Sequence, residues 1–199
     1  MPESRFQRTL AAIDAVNAGD PNVIRVNGVE RPKELAHAEM VSRWLENLAP
    51  NASESLKLAG RAHHLERWVL PRSQYPDGRK GYLDWRRKLQ QHHAEVAGRI
   101  LAEAGYPEGV IERVQDILQK KNLRRDPEVQ AFEDSLCLVF LETQLHDVAA
   151  RLANDKMVDV LRLTLPKMSP EGRRAALAIE LAPEDRELLE RAIEATAQS

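Results

Sequence analysis

The feature that most constrains the fold is the spacing of the apolar residues, which recur every three to four positions along most of the chain. Phe6, Leu10, Ile13 and Val16 form the first such set, and they predict a helix over about 4–18. Aromatic residues make up only 5% of the sequence, which is low for a β-sandwich or a β-barrel. The pattern therefore predicts an all-α protein.

Proline, glycine and capping residues divide this pattern into about eight or nine helices. The predicted helices cover about 4–18, 32–49, 54–68, 80–104, 108–121 and 127–151, and two or three shorter ones fill 153–196. Residues 22–31 are ambiguous between a short strand and an ordered loop with a turn at Asn27-Gly28. The apolar run at 136–141 is interpreted as the centre of a buried helix, although periodicity alone also allows a strand.

Length and composition limit the class of protein. A chain of 199 residues predicts one domain with an appendage, which we place as a helical core at 1–150 and a C-terminal helical extension at 151–199. The extension either packs on the core or forms a homodimer surface. The sequence is 43% hydrophobic and 30% charged, as in soluble globular proteins.

Several protein classes are excluded by what the sequence lacks. No apolar run reaches the roughly 18 residues that cross a membrane, and the N-terminus lacks a secretory signal pattern. Cys137 is the single cysteine, so an internal disulfide is impossible. We therefore expect a cytoplasmic protein. The formal net charge of −2 argues against bulk nucleic-acid binding.

Histidines occupy apolar faces of the predicted helices. His37 shares a face with Val41, and His93 shares one with Leu89 and Val96. His63 and His64 are adjacent in the predicted helix at 54–68. Imidazoles that point into a helical core are candidate metal ligands, and the alternative is that they are core residues with hydrogen-bond partners.

Asp134 is a carboxylate that also lies on an apolar helix face. Asp134 precedes the most apolar run of the chain and shares a face with Leu138 and Leu141. A buried carboxylate needs a cation, a metal or several hydrogen-bond donors. Neutral imidazoles with one carboxylate suit a divalent transition metal, namely manganese, iron, cobalt, nickel or zinc.

A basic and aromatic segment over 61–88 is the second functional signal. Eight arginines and lysines stand against three carboxylates there, in a chain of net charge −2. Arginine binds phosphate with two parallel hydrogen bonds, and aromatic rings can stack on a base. The segment predicts one wall of an anion-binding pocket, and the alternative is a solvated helix face with aromatics packed beneath it.

The order of these residues resembles the HD-domain superfamily of metal-dependent phosphohydrolases. LAHAEMVSRWLE resembles the segment of the first histidine, and KLAGRAHHLERW resembles the His-Asp helix. HHAEVAGRILAEAGY and DPEVQAFEDSLCLVFLE are similar to the helices that carry further histidines and the last aspartate. The resemblance implies an HD-like helical bundle. It also implies metal ligands at His37, His64, His93 and Asp134.

The aspartate of the His-Asp pair is missing, because the pair reads His63-His64 in this chain. A more specific resemblance is to domain of unknown function family 4202. RAHHLERWVLPRSQYPDGRKGYLDWRRKL and LRRDPEVQAFEDSLCLVFLE are similar to two of its segments. In that family the second histidine is typical, which favours His64 over His63 as the ligand.

The resemblance implies hydrolysis of a nucleotide or another small phosphate ester. Glu66 or Glu133 would act as the catalytic base. Substrate contacts would come from arginines that neutralise phosphate oxygens and aromatics that stack on a base: Arg61, Arg67, Arg72, Arg86, Tyr75 and Trp85.

Two other functions remain open. One is an inactive HD-like module that binds a nucleotide, RNA or a protein partner. The other is an interaction protein whose histidines are ordinary core residues.

Overall fold

The computed structural model describes residues 3–26, 28–150 and 154–197. Helices dominate these ranges, as predicted, and a two-stranded antiparallel hairpin is the exception within them. The ten α-helices are α1 (Arg5–Asn17), α2 (Lys33–Leu48), α3 (Glu54–Ala62), α4 (Gly78–Glu103), α5 (Glu108–Leu118), α6 (Pro127–Thr143), α7 (Leu145–Ala149), α8 (Asn154–Thr164), α9 (Pro170–Ala178) and α10 (Pro183–Ala197). No helix among the described residues is both long and apolar enough to span a membrane.

The chain forms two compact units. Among the described residues, the first runs to Glu46 and continues over Pro50–Lys121, and the second contains Asn47–Ala49 and those from Asn122 onward. Inside the second unit, α6 packs against α9. The sequence-based division into a core at 1–150 and an extension at 151–199 stays a prediction.

In the first unit, α3, α4 and α5 pack against one another, and α1 packs on α3 and α4. Local capping explains where two of these helices begin. Ser4 and Gln7 form a reciprocal capping box at α1, and the Ser53 side chain accepts a hydrogen bond from the Leu56 N–H at α3.

The ambiguous segment at 22–31 is a hairpin of β1 (Val23–Val26) and β2 (Val29–Pro32). Gly28 has φ of +80°, the conformation that glycine adopts without a steric penalty. Asn27, the other residue of the predicted turn, lies outside the described residues. The hairpin leads directly into α2.

The predicted helix at 54–68 is shorter than expected. It ends at Ala62, and His63–Glu66 form a turn that Glu66 closes with a left-handed φ of +53°. Two 3-10 helical turns follow, at Arg67–Val69 and Arg72–Gln74. The prediction was wrong because the spacing of apolar residues does not report where the backbone leaves the helical conformation.

The second unit is built around α6, whose apolar run at 136–141 is helical rather than extended. Asp126 caps its first turn and Pro127 occupies the first helical position. The predicted helix at 127–151 is interrupted at Gln144, whose φ of −128° separates α6 from α7. The end of that prediction, at 151, lies outside the described residues.

Candidate functional site

Glu34 lies in the first turn of α2, with its side chain 5% exposed. The Asp20 carboxylate accepts the Glu34 N–H at 3.0 Å and the Asn22 N–H at 2.9 Å. Asp20 thereby fixes the start of the helix just after the hairpin. A carboxylate in a first turn is also stabilised by the positive end of the helix dipole.

Two histidines converge on this carboxylate. Nδ1 of His37, one helical turn after Glu34, lies 3.5 Å from Glu34 Oε2. The Nδ1–H of His64 donates to the same oxygen at 2.7 Å. Each of the three residues offers a ligand atom, and these atoms lie within 4.8 Å of one another. This cluster of Glu34, His37 and His64 can hold a metal ion.

His93 supplies a fourth donor beside the cluster. Its Nδ1–H donates to the Leu65 carbonyl at 2.7 Å, which ties α4 to the turn that carries His64. Its ring centroid lies 5.6 Å from that of His64. The buried Nε2 has no hydrogen-bond partner among the residues that the structure describes. A buried nitrogen with a bare lone pair is what a metal ligand requires.

Arg67 also borders the cluster. Its Nη1–H donates to Nε2 of His64 at 3.4 Å, and its Nε lies 3.6 Å from Glu34 Oε1. The guanidinium carbon lies 5.1 Å from the centre of the Trp85 ring. The Arg67 guanidinium therefore contacts both Glu34 and His64 and lies over the face of the Trp85 ring.

The protonation states suit metal binding. Burial lowers the pKa of His64 and of His93 to about 3, and lowers the pKa of His63 well below its usual value. Burial would raise the pKa of Glu34, but the attraction of His64 and hydrogen bonds from His37 and His64 outweigh it and hold that pKa far below its usual range. Near neutral pH, the imidazoles of His64 and His93 are therefore neutral and the Glu34 carboxylate is ionised, which are the ligand forms that metals bind.

The structure brings three of the predicted ligands into one unit, namely His37, His64 and His93. Asp134 belongs to the second unit. Its carboxylate accepts hydrogen bonds from the Ser169 N–H at 2.9 Å, the Ser169 hydroxyl at 2.6 Å and the Gln130 amide at 3.0 Å. These contacts give Asp134 a structural role at the start of α9.

Sequence reasoning missed Glu34. The signal was its spacing from His37, because residues three apart share a helix face. Glu34 was overlooked because it lies in the first turn of α2, beside the ambiguous hairpin segment, instead of within an apolar run.

The two predicted bases lie in different units. Glu66 stands in the turn between His64 and Arg67, and its Oε2 accepts a hydrogen bond from His92 Nε2 at 3.0 Å. Glu133 lies in α6, in the second unit, and is 5% exposed.

Two of the predicted phosphate-binding arginines have internal partners. Arg61 donates to both carboxylate oxygens of Asp14, at 2.5 and 2.7 Å. Arg72 donates to the carbonyls of Tyr75 and Pro76, at 2.7 and 2.9 Å, and so holds the loop before α4 together.

Two further predicted substrate residues, Trp85 and Arg86, lie next to Tyr82. The Trp85 indole N–H donates to the Leu70 carbonyl at 2.8 Å, and its ring lies 5.8 Å from that of Tyr82. Arg86 lies over Tyr82, with 5.9 Å between the guanidinium carbon and the ring centre. Tyr75 is half-buried in the loop before α4. Arg67, Trp85, Tyr82 and Arg86 thus form a row of neighbouring cationic and aromatic groups that begins at the cluster, with the two rings tilted by 46° to each other.

Comparison with known proteins identifies a family without a described activity. No curated protein and no solved structure matches the chain. The model of the domain of unknown function DUF4202 matches residues 7–189, which is most of the sequence. The chain therefore belongs to the DUF4202 family.

Proposed function

We propose that this chain is an HD-like, metal-dependent phosphohydrolase that acts on a nucleotide or another small phosphate ester. The observation that carries the proposal is the buried cluster of Glu34, His37 and His64, with the unpaired Nε2 of His93 beside it. Within a single unit, it combines ionised and neutral donors that suit a divalent transition metal.

In this proposal, the ligands are Glu34, His37 and His64, with His93 as the additional donor. Glu34 takes the place in the ligand set that the resemblance assigned to Asp134. A divalent metal held by these residues would supply Lewis-acid chemistry for the attack of water on phosphorus. Manganese, iron, cobalt, nickel and zinc all accept such a donor set.

The chain's own residues bind the substrate and handle the proton. Arg67 neutralises the phosphate oxygens, because its guanidinium borders the cluster and its side chain is 34% exposed. Glu66 accepts the proton of the attacking water. The Tyr82 ring, which is 42% exposed, offers a face on which a base can stack.

A second candidate is an anion-binding module without turnover. The observation that favours it is the row of half-buried basic and aromatic groups from Arg67 to Arg86, with Tyr82 exposed, which can bind a phosphorylated ligand without any metal. Such a module would be stabilised by a nucleotide and would not hydrolyse it.

Metal content tests the first candidate. The protein is purified without a chelator or a histidine tag, reloaded with manganese or zinc, desalted and analysed by mass spectrometry. We expect close to one equivalent of metal in the wild type and its loss in Glu34→Gln and in His64→Ala, because each removes a ligand. His146→Ala is the matched control, since His146 lies in the second unit and pairs with Asp185.

Turnover separates the two candidates. The loaded protein is incubated with nucleotides and simple phosphate esters while released phosphate is measured. Phosphate release that disappears in His64→Ala supports the phosphohydrolase. Ligand-induced stabilisation without phosphate release supports the binding module, and the absence of metal in every sample would contradict the metal site.

A further inference from the structure

Both ring nitrogens of His64 have partners. Nδ1–H donates to Glu34, and Nε2 accepts an N–H of Arg67. A metal can reach His64 in two ways. Binding at Nδ1 would replace the proton that His64 shares with Glu34, and binding at Nε2 would displace the N–H of Arg67. In both cases the ion would lie beside the Arg67 guanidinium, which contacts Glu34 and His64 together.

Arg67 also provides the positive charge that Glu34 needs. Glu34 is buried and ionised, and a buried carboxylate is costly unless a cation stands near it. The Arg67 guanidinium meets this need, with Nε 3.6 Å from Glu34 Oε1. A divalent ion on the same ligands would lie close to this guanidinium, and two cations at such a distance repel strongly in a partly buried site.

The guanidinium has an alternative position within reach. It already lies over the face of Trp85, and a third of its side chain is exposed. The stem of an arginine carries its charge over several ångströms by rotation of single bonds. Arg67 can therefore leave Glu34 and His64 while it keeps the contact with the indole ring.

We propose that Arg67 is a tethered counter-cation of this site: it holds Glu34 and His64 until a metal displaces it, and the displaced guanidinium then binds the oxyanion of the incoming ligand. The inference rests on the proposed function, because it requires that the site binds a metal. It explains how a buried carboxylate is neutralised in the absence of metal.

Cooperation between metal and oxyanion follows from this exchange. An oxyanion that captures the guanidinium removes the competitor of the metal, so each ligand tightens the binding of the other by the same factor. A substitution that removes the charge of Arg67 should therefore raise the affinity for metal alone and abolish the effect of the oxyanion.

Manganese binding tests the exchange. Free manganese is measured by electron paramagnetic resonance in chloride buffer and in sulfate buffer of equal ionic strength, with sulfate as the oxyanion probe. The variants are Arg67→Gln, which removes the charge, and Arg67→Lys, which keeps it. Arg87→Gln is the matched control, because Arg87 is an exposed cation of α4 whose ion-pair partner is Asp84. Circular dichroism verifies folding.

In chloride, we expect Arg67→Gln to bind manganese about tenfold more tightly than the wild type, because a nearby charge has been removed. Arg67→Lys and Arg87→Gln should remain near the wild type. Sulfate should tighten manganese binding in the wild type and in Arg87→Gln, and it should have no such effect in Arg67→Gln.

Two outcomes contradict the inference in distinguishable ways. Equal manganese affinity in the wild type and in Arg67→Gln, with no effect of sulfate on either, overturns the exchange and leaves the metal site in place. No manganese bound by any sample overturns the metal site as well. If Arg67→Gln fails to fold, the effect of sulfate on manganese affinity is compared in the wild type and in Arg67→Lys. Tighter manganese binding in sulfate supports the exchange, and no effect of sulfate on the wild type overturns it.

Discussion

At the scale of single residues, Glu34 determines the chemistry of the cluster. One of its oxygens accepts the Nδ1–H of His64 and lies 3.5 Å from His37, while the other lies 3.6 Å from Arg67. A carboxylate that is in contact with two imidazoles and a guanidinium keeps its negative charge although it is buried. It therefore gives the first unit an anionic point for a cation to bind.

The buried histidines predict how stability depends on pH. Burial lowers the pKa of His64 and His93 to about 3, below the value of an unfolded histidine. The unfolded chain therefore binds more protons than the folded one, and the free energy of unfolding falls as the pH drops from about 6.5 toward 3. Each histidine contributes a slope of up to about 1.4 kcal/mol per pH unit.

Urea unfolding of the metal-free protein at pH 7, 6 and 5 measures this slope. His93→Gln should flatten it, because one group that titrates only in the unfolded chain is removed. Lys88→Gln, an exposed change in the same helix, should leave the slope unchanged. A slope that is the same in His93→Gln and in the wild type would show that His93 is not held neutral by the fold.

At the scale of secondary-structure elements, the junction of α6 and α9 depends on a side chain. Asp134 of α6 accepts the N–H and the hydroxyl of Ser169, and the Ser169 hydroxyl accepts the Gly172 N–H. Ser169 is thus the N-cap of α9, and Asp134 orients it.

Substitution of Asp134 tests this structural role. Asp134→Ala should lower the free energy of unfolding by about 1 to 3 kcal/mol, because part-buried donors of Ser169 and Gln130 lose their acceptor. Metal content should stay at the wild-type level, since the ligands of the proposed site are in the first unit. Loss of metal from a folded Asp134→Ala protein would return Asp134 to the ligand set.

The same junction requires a glycine at position 172. A Cβ atom there would lie 2.6 Å from Asp134 Cγ, closer than any normal contact. Gly172→Ala should therefore destabilise the protein by about 1 to 3 kcal/mol in thermal or urea unfolding. Gly109→Ala in α5 is the control, because its Cβ would meet no atom within 4 Å, and a loss as large in that variant would contradict the steric explanation.

At the scale of the whole molecule, a metal that binds only the folded chain stabilises it by mass action. At 100 times the dissociation constant, the free energy of unfolding rises by roughly 2.7 kcal/mol. We therefore expect manganese or zinc to raise the melting temperature of the wild type and a chelator to reverse the change. Glu34→Gln should not respond, and an equal response in that variant would place the stabilising ion elsewhere.

The helical class followed from sequence alone because apolar spacing is a local property that each segment carries by itself. Ser53 and Pro127 mark helix starts in the same local way. The histidines at 37 and 93 were singled out from sequence, since a polar residue on an apolar face is visible in the spacing. The choice of His64 over His63 rested on the resemblance to the DUF4202 family. Membership of the DUF4202 family is a property of the sequence as well.

Only the tertiary structure decided which of these residues meet. His37, His64 and Glu34 lie within 4.8 Å through their ligand atoms although 30 residues separate Glu34 from His64. The structure also assigned Arg61 and Arg72 to internal partners and Asp134 to the cap of α9. Sequence patterns report which way a side chain points from its own helix. Long-range contacts depend on how helices distant in sequence pack, and no local pattern encodes that packing.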